Sequence, residues 1–183
     1  PFVGMRSQYG FIIKHSKSLE KIANSNPWGV EIDFGWHHSS ERTWQYCFCY
    51  PRSGFMLSYY NFSNPEVLGN GYGITPYIEP FLSADRNLSV SWRGGLGLIY
   101  LNNVYHPVNN PTNQFFSTPI SFLAMVSINL NYRIDDKLNV KISGYYNHIS
   151  NGSVKQPNKG INYPMASIGI DYLFDQPTFP LRK

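Results

Sequence analysis

The chain has 183 residues, one domain's worth with no compositional break, and it carries 16% aromatic against 14% charged residues, with 15 Gly, 13 Pro and 14 Tyr. A mean hydropathy of -0.31 and the lack of any apolar run near the ~20 residues of a spanning helix exclude a helical membrane protein, so a membrane location requires a barrel. The net charge of +4 and pI near 9.0 come from scattered Lys and Arg, which argues against nucleic acid as a partner and fits an anionic lipid surface better.

In chain order, apolar residues recur at every second position and no window has a helical period. The predicted strands are Ser7 to His15, Trp28 to Trp36, Thr43 to Phe62, Gly71 to Leu82, Leu88 to Leu101, Ile120 to Arg133, Leu138 to Ser150 and Met165 to Phe174. In the second, Trp28, Val30, Ile32, Phe34 and Trp36 alternate with Gly29, Glu31, Asp33 and Gly35, setting two acids opposite two tryptophans. The third is long; its outward set Trp44, Tyr46, Phe48, Tyr50 shifts parity at Phe55, Leu57, Tyr59, which predicts a bulge at Pro51 to Gly54 within one strand. The sixth is the cleanest, with Phe122, Ala124, Val126, Ile128, Leu130 and Tyr132 on one face. The reading is an all-β, eight-stranded antiparallel transmembrane β-barrel over residues 1–174, with a C-terminal tail at 175–183. A lumen that small is filled by side chains, so Glu31, Asp33, Arg52, Glu79, Arg93, Lys141 and Asp171 are expected to form an internal salt-bridge plug.

Long connections (Ser16 to Pro27, Ser63 to Asn70, Asn102 to Pro119, Asn151 to Pro164) alternate with short ones (His37 to Arg42, Ser83 to Asn87, Ile134 to Lys137). Outer-membrane barrels have long extracellular loops and short periplasmic turns, so both chain ends are expected on the periplasmic side. The chain starts at Pro1 with no initiator Met or cleavable signal and is read as a processed product, its export inferred from the barrel. Cys47 and Cys49 are separated by one residue, poor disulfide geometry in a strand, and are expected free and buried. His15, His37, His38 and His106 make no metal-ligand spacing; no metal or cofactor is expected, and His37-His38 reads as a solvated pair.

The residues that can carry chemistry sit at the end of the seventh strand. Counting by twos from Leu138 puts Val140, Ile142, Gly144, Tyr146, His148 and Ser150 on the lipid-facing side. A His and a Ser at i and i+2 project side by side, so the imidazole can take the serine proton where rotamers allow. Ionisable groups facing lipid are costly and usually functional. Beside this stands a plain alternative, a polar pair at the membrane interface bonded to loop backbone.

The stretch His148-Ile149-Ser150-Asn151-Gly152, followed by Lys155-Gln156-Pro157-Asn158 and Gly160-Ile161-Asn162, resembles the lipid A 3-O-deacylase (PagL-like) family of outer-membrane acyloxyacyl hydrolases. So do Pro65 to Asn70 and Pro107 to Pro111. The resemblance implies an eight-stranded barrel that removes an ester-linked acyl chain from lipid A with a lipid-facing serine hydrolase triad. It implies His148 as base, Ser150 as nucleophile and Asn158 as oxyanion donor, with Asn151 and Gly152 as supporting neighbours. The family's acid position holds Asn162 here; an amide can fix the imidazole tautomer but offers no charge to an imidazolium, so activity is expected to be weakened. Glu66, in another loop, is the candidate replacement acid. The implied partners are lipopolysaccharide and membrane lipids, with the protein a monomer or weak homodimer. The competing functional readings are a non-enzymatic structural or adhesive outer-membrane barrel with a degenerate site, and a soluble lipocalin-like carrier, which the charged inward set disfavours.

Overall fold

The computed structural model describes residues 1–14, 19, 22–40, 42 and 47–179. They form a closed barrel of eight antiparallel strands: β1 (Phe2–Gly10), β2 (Trp28–His37), β3 (Arg52–Asn61), β4 (Asn70–Glu79), β5 (Leu88–Leu101), β6 (Ile120–Arg133), β7 (Leu138–Ser150) and β8 (Ile161–Leu173). Each strand pairs with its neighbours in sequence, and β1 closes the ring on β8 from Phe2↔Leu173 to Gly10↔Met165. The outer ends of β1 and β8 therefore share one rim, here the lower end; connections 11–27, 62–69, 102–119 and 151–160 stand at the upper end.

Alternation sets the two faces. Phe122, Val126, Ile128, Leu130 and Tyr132 are exposed on the outer wall while Leu123, Met125, Ser127, Asn129 and Asn131 are buried. Inside, the lumen divides in two. Its upper part is apolar, with Tyr60, Phe62, Leu68, Phe115, Phe116, Leu123, Ile149 and Tyr163 all fully buried as side chains from the upper loops fold inward. Its middle is ionic. Arg6 binds Glu31, Asp33 and Asp171, Arg93 binds Glu31, Asp33 and Glu79, Lys141 meets Glu79 at 2.8 Å, and Arg52 meets Asp171 at 2.6 Å. All seven residues expected in the plug are in it, joined by Arg6. The Arg93 guanidinium also stacks 3.9 Å from the Tyr77 ring centroid.

Several local expectations change. β1 begins at Phe2 rather than Ser7, because an inward Phe2 and an outward Ser7 blur its period; the chain still follows β8 above Gly10, through Phe11 N–H to Pro164 O (3.2 Å) and Ile13 N–H to Asn162 O (2.8 Å). His15 lies outside the described residues. β3 begins at Arg52, where the register His37↔Arg52 ends pairing with β2. Below it Pro51 has no N–H to donate, and Cys49 and Tyr50 adopt left-handed φ of 55° and 52°, so the chain turns at these two residues and the strand does not bulge at Pro51 to Gly54. Thr43 to Tyr46 lie outside the described residues. The connection there, 38–51, is consequently long, and the short-turn pattern survives best at 134–137. In that turn the Asp135 carboxylate accepts the Lys137 and Leu138 N–H groups at 2.8 Å each, which holds its carboxyl below the usual carboxylate range.

Cys47 and Cys49 are free, but Cys47 is exposed rather than buried, since the turn carries it away from the wall. His37 and His38 are not a solvated pair. His37 stacks on Phe81 with centroids 5.0 Å apart, its Nε2–H reaches Tyr50 O at 3.0 Å and its Nδ1 accepts from Arg52. The tail after β8 tucks against the same spot, Phe179 lying 5.2 Å from His37 and 5.6 Å from Tyr50 between ring centroids. β8 in turn starts at Ile161, four residues earlier than Met165, and this extension matters for the site.

Candidate active site

β7 and β8 run together to their upper ends in a register that pairs His148 with Asn162, while β6 places Ala124 beside His148 and Phe122 beside Ser150. Strand parity then puts His148, Ser150 and Asn162 on the outer wall, each half-buried, above a surface of Tyr146, Ile142 and Ile168. The early start of β8 is what brings Asn162 into this row.

His148 Nδ1 and Asn162 Oδ1 are 2.7 Å apart. An amide oxygen can only accept, so Nδ1 carries the ring proton and the Nε2 lone pair is left facing away from β8. The neutral amide thus sets the tautomer that a general base needs. The described partner of His148 Nδ1 is Asn162 and not Glu66, whose backbone carbonyl accepts from Asn103 in loop 102–119.

Ser150 is held by other donors. Asn158 Nδ2–H donates to its Oγ at 2.9 Å and the Gly152 N–H at 3.2 Å; a bond from Oγ to His148 is not among the described contacts. The orientation of the Asn158 amide follows from its other end, where Oδ1 accepts the Asn151 N–H at 3.3 Å. A backbone N–H cannot accept, so the amide is fixed with its NH₂ toward the serine. Side-chain and backbone donors therefore converge on the Ser150 hydroxyl. The Ser–His contact that a general base requires is thus not made in this resting state, and such contacts are often loose before substrate binds.

The connection 151–160 shapes the site through left-handed residues Gly152 (φ 65°), Ser153 (φ 64°) and Gly160 (φ 66°). Gly160 lies against the imidazole: a Cβ there would stand 2.8 Å from His148 Cε1. Asn151 is placed differently from a substrate contact, being 3% exposed with Nδ2 donating to Lys155 O (2.9 Å) and Ser117 Oγ (3.2 Å). Ser117 has no place in the sequence reading, and Gly160 appears there only within the family motif. Flanking the row are two furrows in the outer wall, one of about 140 Å³ between Leu98, Ile120, Phe122 and Val154, the other of about 410 Å³ between Tyr9, Phe11, Gly144, Pro164 and Ala166.

A family model for lipid A 3-O-deacylase (PagL) matches residues 28–171, a span that contains the whole row. The chain belongs to the lipid A 3-O-deacylase family. Among solved structures it is similar to the outer-membrane enzyme PagL (13% identity, 91% of this chain and 97% of that one covered, TM-score 0.64). It is similar as well to Neisserial surface protein A (12%, 94% and 96%, 0.62) and to the N-terminal β-barrel domain of Pseudomonas aeruginosa OprF (12%, 93% and 97%, 0.52). At such identities these likenesses establish the fold alone, a closed eight-stranded β-barrel. No curated protein sequence matches the chain.

Proposed function

We propose that this member of the family is a serine esterase that removes an ester-linked acyl chain from lipid A in the outer leaflet, with its upper end outside the cell. The observation that carries the reading is the His148–Asn162 contact of 2.7 Å, which leaves Nε2 free to act as a base two residues from a serine whose oxygen is already surrounded by N–H donors. In this mechanism His148 Nε2 takes the Ser150 proton as Oγ attacks the ester carbonyl, and Asn158 Nδ2–H and Gly152 N–H stabilise the oxyanion. His148 then gives the proton to the departing sugar oxygen, leaving an acyl-serine. Water, deprotonated by the same base, releases the fatty acid and restores the serine. The flanking furrows are where acyl chains of a lipid lying against the wall would rest. Each part of the site comes from one chain, so a monomer suffices.

The alternative is a non-enzymatic barrel with a degenerate site, favoured by the neutral amide at the acid position and by a resting serine bonded to Asn158. Mass spectrometry of lipid A incubated with the purified protein in detergent separates the two. The hydrolase reading expects loss of one acyl chain, abolished by Ser150→Ala and by His148→Ala, roughly a 10⁴-fold fall or more, with heat-modifiable barrel mobility retained. Unchanged lipid A with the wild type, or full activity in either variant, would sink it.

A further inference from the structure

We infer that Ser117, in the neighbouring loop 102–119, is a positioning residue for the oxyanion donor Asn158, and that Asn151 serves the same clamp rather than touching substrate. This rests on the hydrolase reading above. The chain of contacts is short. Ser117 Oγ–H donates to Lys155 O at 2.7 Å and accepts from Asn151 Nδ2 at 3.2 Å; Asn151 Nδ2 also donates to Lys155 O at 2.9 Å. These bonds tie the start of connection 151–160 to its middle. The Asn151 backbone N–H then fixes the Asn158 amide, whose other end holds Ser150 Oγ.

Ser117 and Asn151 are 1% and 3% exposed, so water cannot replace the bonds between them at low cost. Two backbone bonds strengthen the hold: Lys159 N–H to Gln114 O at 3.1 Å and Gly160 N–H to Phe115 O at 3.0 Å. Loop 102–119 is itself rigidly set, because Phe115 and Phe116 are buried in the upper lumen and Asn113 Oδ1 accepts both of their N–H groups. The packed upper lumen therefore reaches the outer wall through Ser117. Displacing an oxyanion donor by a fraction of an ångström to an ångström costs a rate of about 10- to 100-fold.

The test is a double-mutant cycle of Ser117→Ala with Asn158→Ala, reading kcat and KM for fatty-acid release from lipid A in detergent micelles. The side-chain amide NMR signals of Asn158 in the same micelles are followed in parallel. Ser117→Ala should lower kcat about tenfold with KM changed less than about twofold, and should shift the Asn158 amide signals. In the Asn158→Ala background the same substitution should cost less than about twofold, since the group it positions is gone. An unmoved Asn158 amide, or an equal loss in both backgrounds, overturns the clamp while leaving an active wild type as a hydrolase. A wild type that releases no fatty acid overturns the hydrolase reading itself, and any catalytic role for Ser117 with it.

Discussion

The lumen and the outer-wall row are built from similar polar residues under opposite rules. In the lumen every buried charge faces an opposite one: four cations, Arg6, Arg52, Arg93 and Lys141, interlock with four carboxylates, Glu31, Asp33, Glu79 and Asp171. In the row, His148 meets a neutral carbonyl oxygen and Ser150 meets N–H donors with no acceptor to complement them. The first arrangement satisfies charges that already exist. The second leaves room for charge that would appear during a reaction, on His148 and on an oxygen beside Ser150. Polar groups that are left short of partners, on a wall that is otherwise apolar, are the mark that separates a site from a scaffold.

Arg93→Met gives the largest effect that would break this comparison. It removes the partner shared by Glu31, Asp33 and Glu79, and breaking a buried network by deleting one member costs about 3–5 kcal/mol. Urea unfolding in lipid vesicles, followed by tryptophan fluorescence, should register that loss; unchanged stability would mean that the lumen charges do not brace the barrel. Asn162→Asp sharpens the other side. It supplies the charge the row lacks, and deacylation should rise on the order of 10- to 100-fold, part of the roughly 10⁴ that separates acid from amide in a serine protease triad. Asn162→Ala should lower it by loosening the ring. Rates equal to wild type in both would show that Asn162 does not orient the base. Gly160→Ala has the smallest expected effect, about fivefold lower kcat. Its methyl would stand 2.8 Å from His148 Cε1 on a left-handed backbone, so the ring or the loop must shift. Wild-type kcat in that variant would mean the imidazole has more latitude than the packing implies.

Most of the barrel could be read from the chain because lipid outside and a packed lumen inside impose period 2 without exception in β6 and β7. Where the inner side turns apolar or the outer side polar, as at Phe2 and Ser7, the period fades and the boundary of β1 slipped. Phe48 and Tyr50 mimicked a strand because aromatic alternation says nothing about φ, and it was the left-handed Cys49 and Tyr50 that turned the chain. The shared outer face of His148 and Ser150 was legible from spacing, while the roles proposed for them, and Asn158 and Asn162 altogether, came only through the family resemblance. Gly160 entered only as part of the family motif, and Ser117 carried no signal in one sequence: its partners are set by how two irregular loops meet in space, which no periodicity encodes.

The charged plug has one more consequence, for how the barrel assembles. Its members come from β1, β2, β3, β4, β5, β7 and β8, and the pairs Arg6–Asp171 and Arg52–Asp171 tie β8 back to β1 and β3 at the other end of the chain. A sheet lacking β8 would set four cations against only the three carboxylates Glu31, Asp33 and Glu79, and would leave Arg52 without Asp171, an unbalanced buried charge that is costly in hydrocarbon. Neutrality arrives only when the last strand meets the first. Charge balance in the lumen thus favours the closed ring over a sheet that lacks β8.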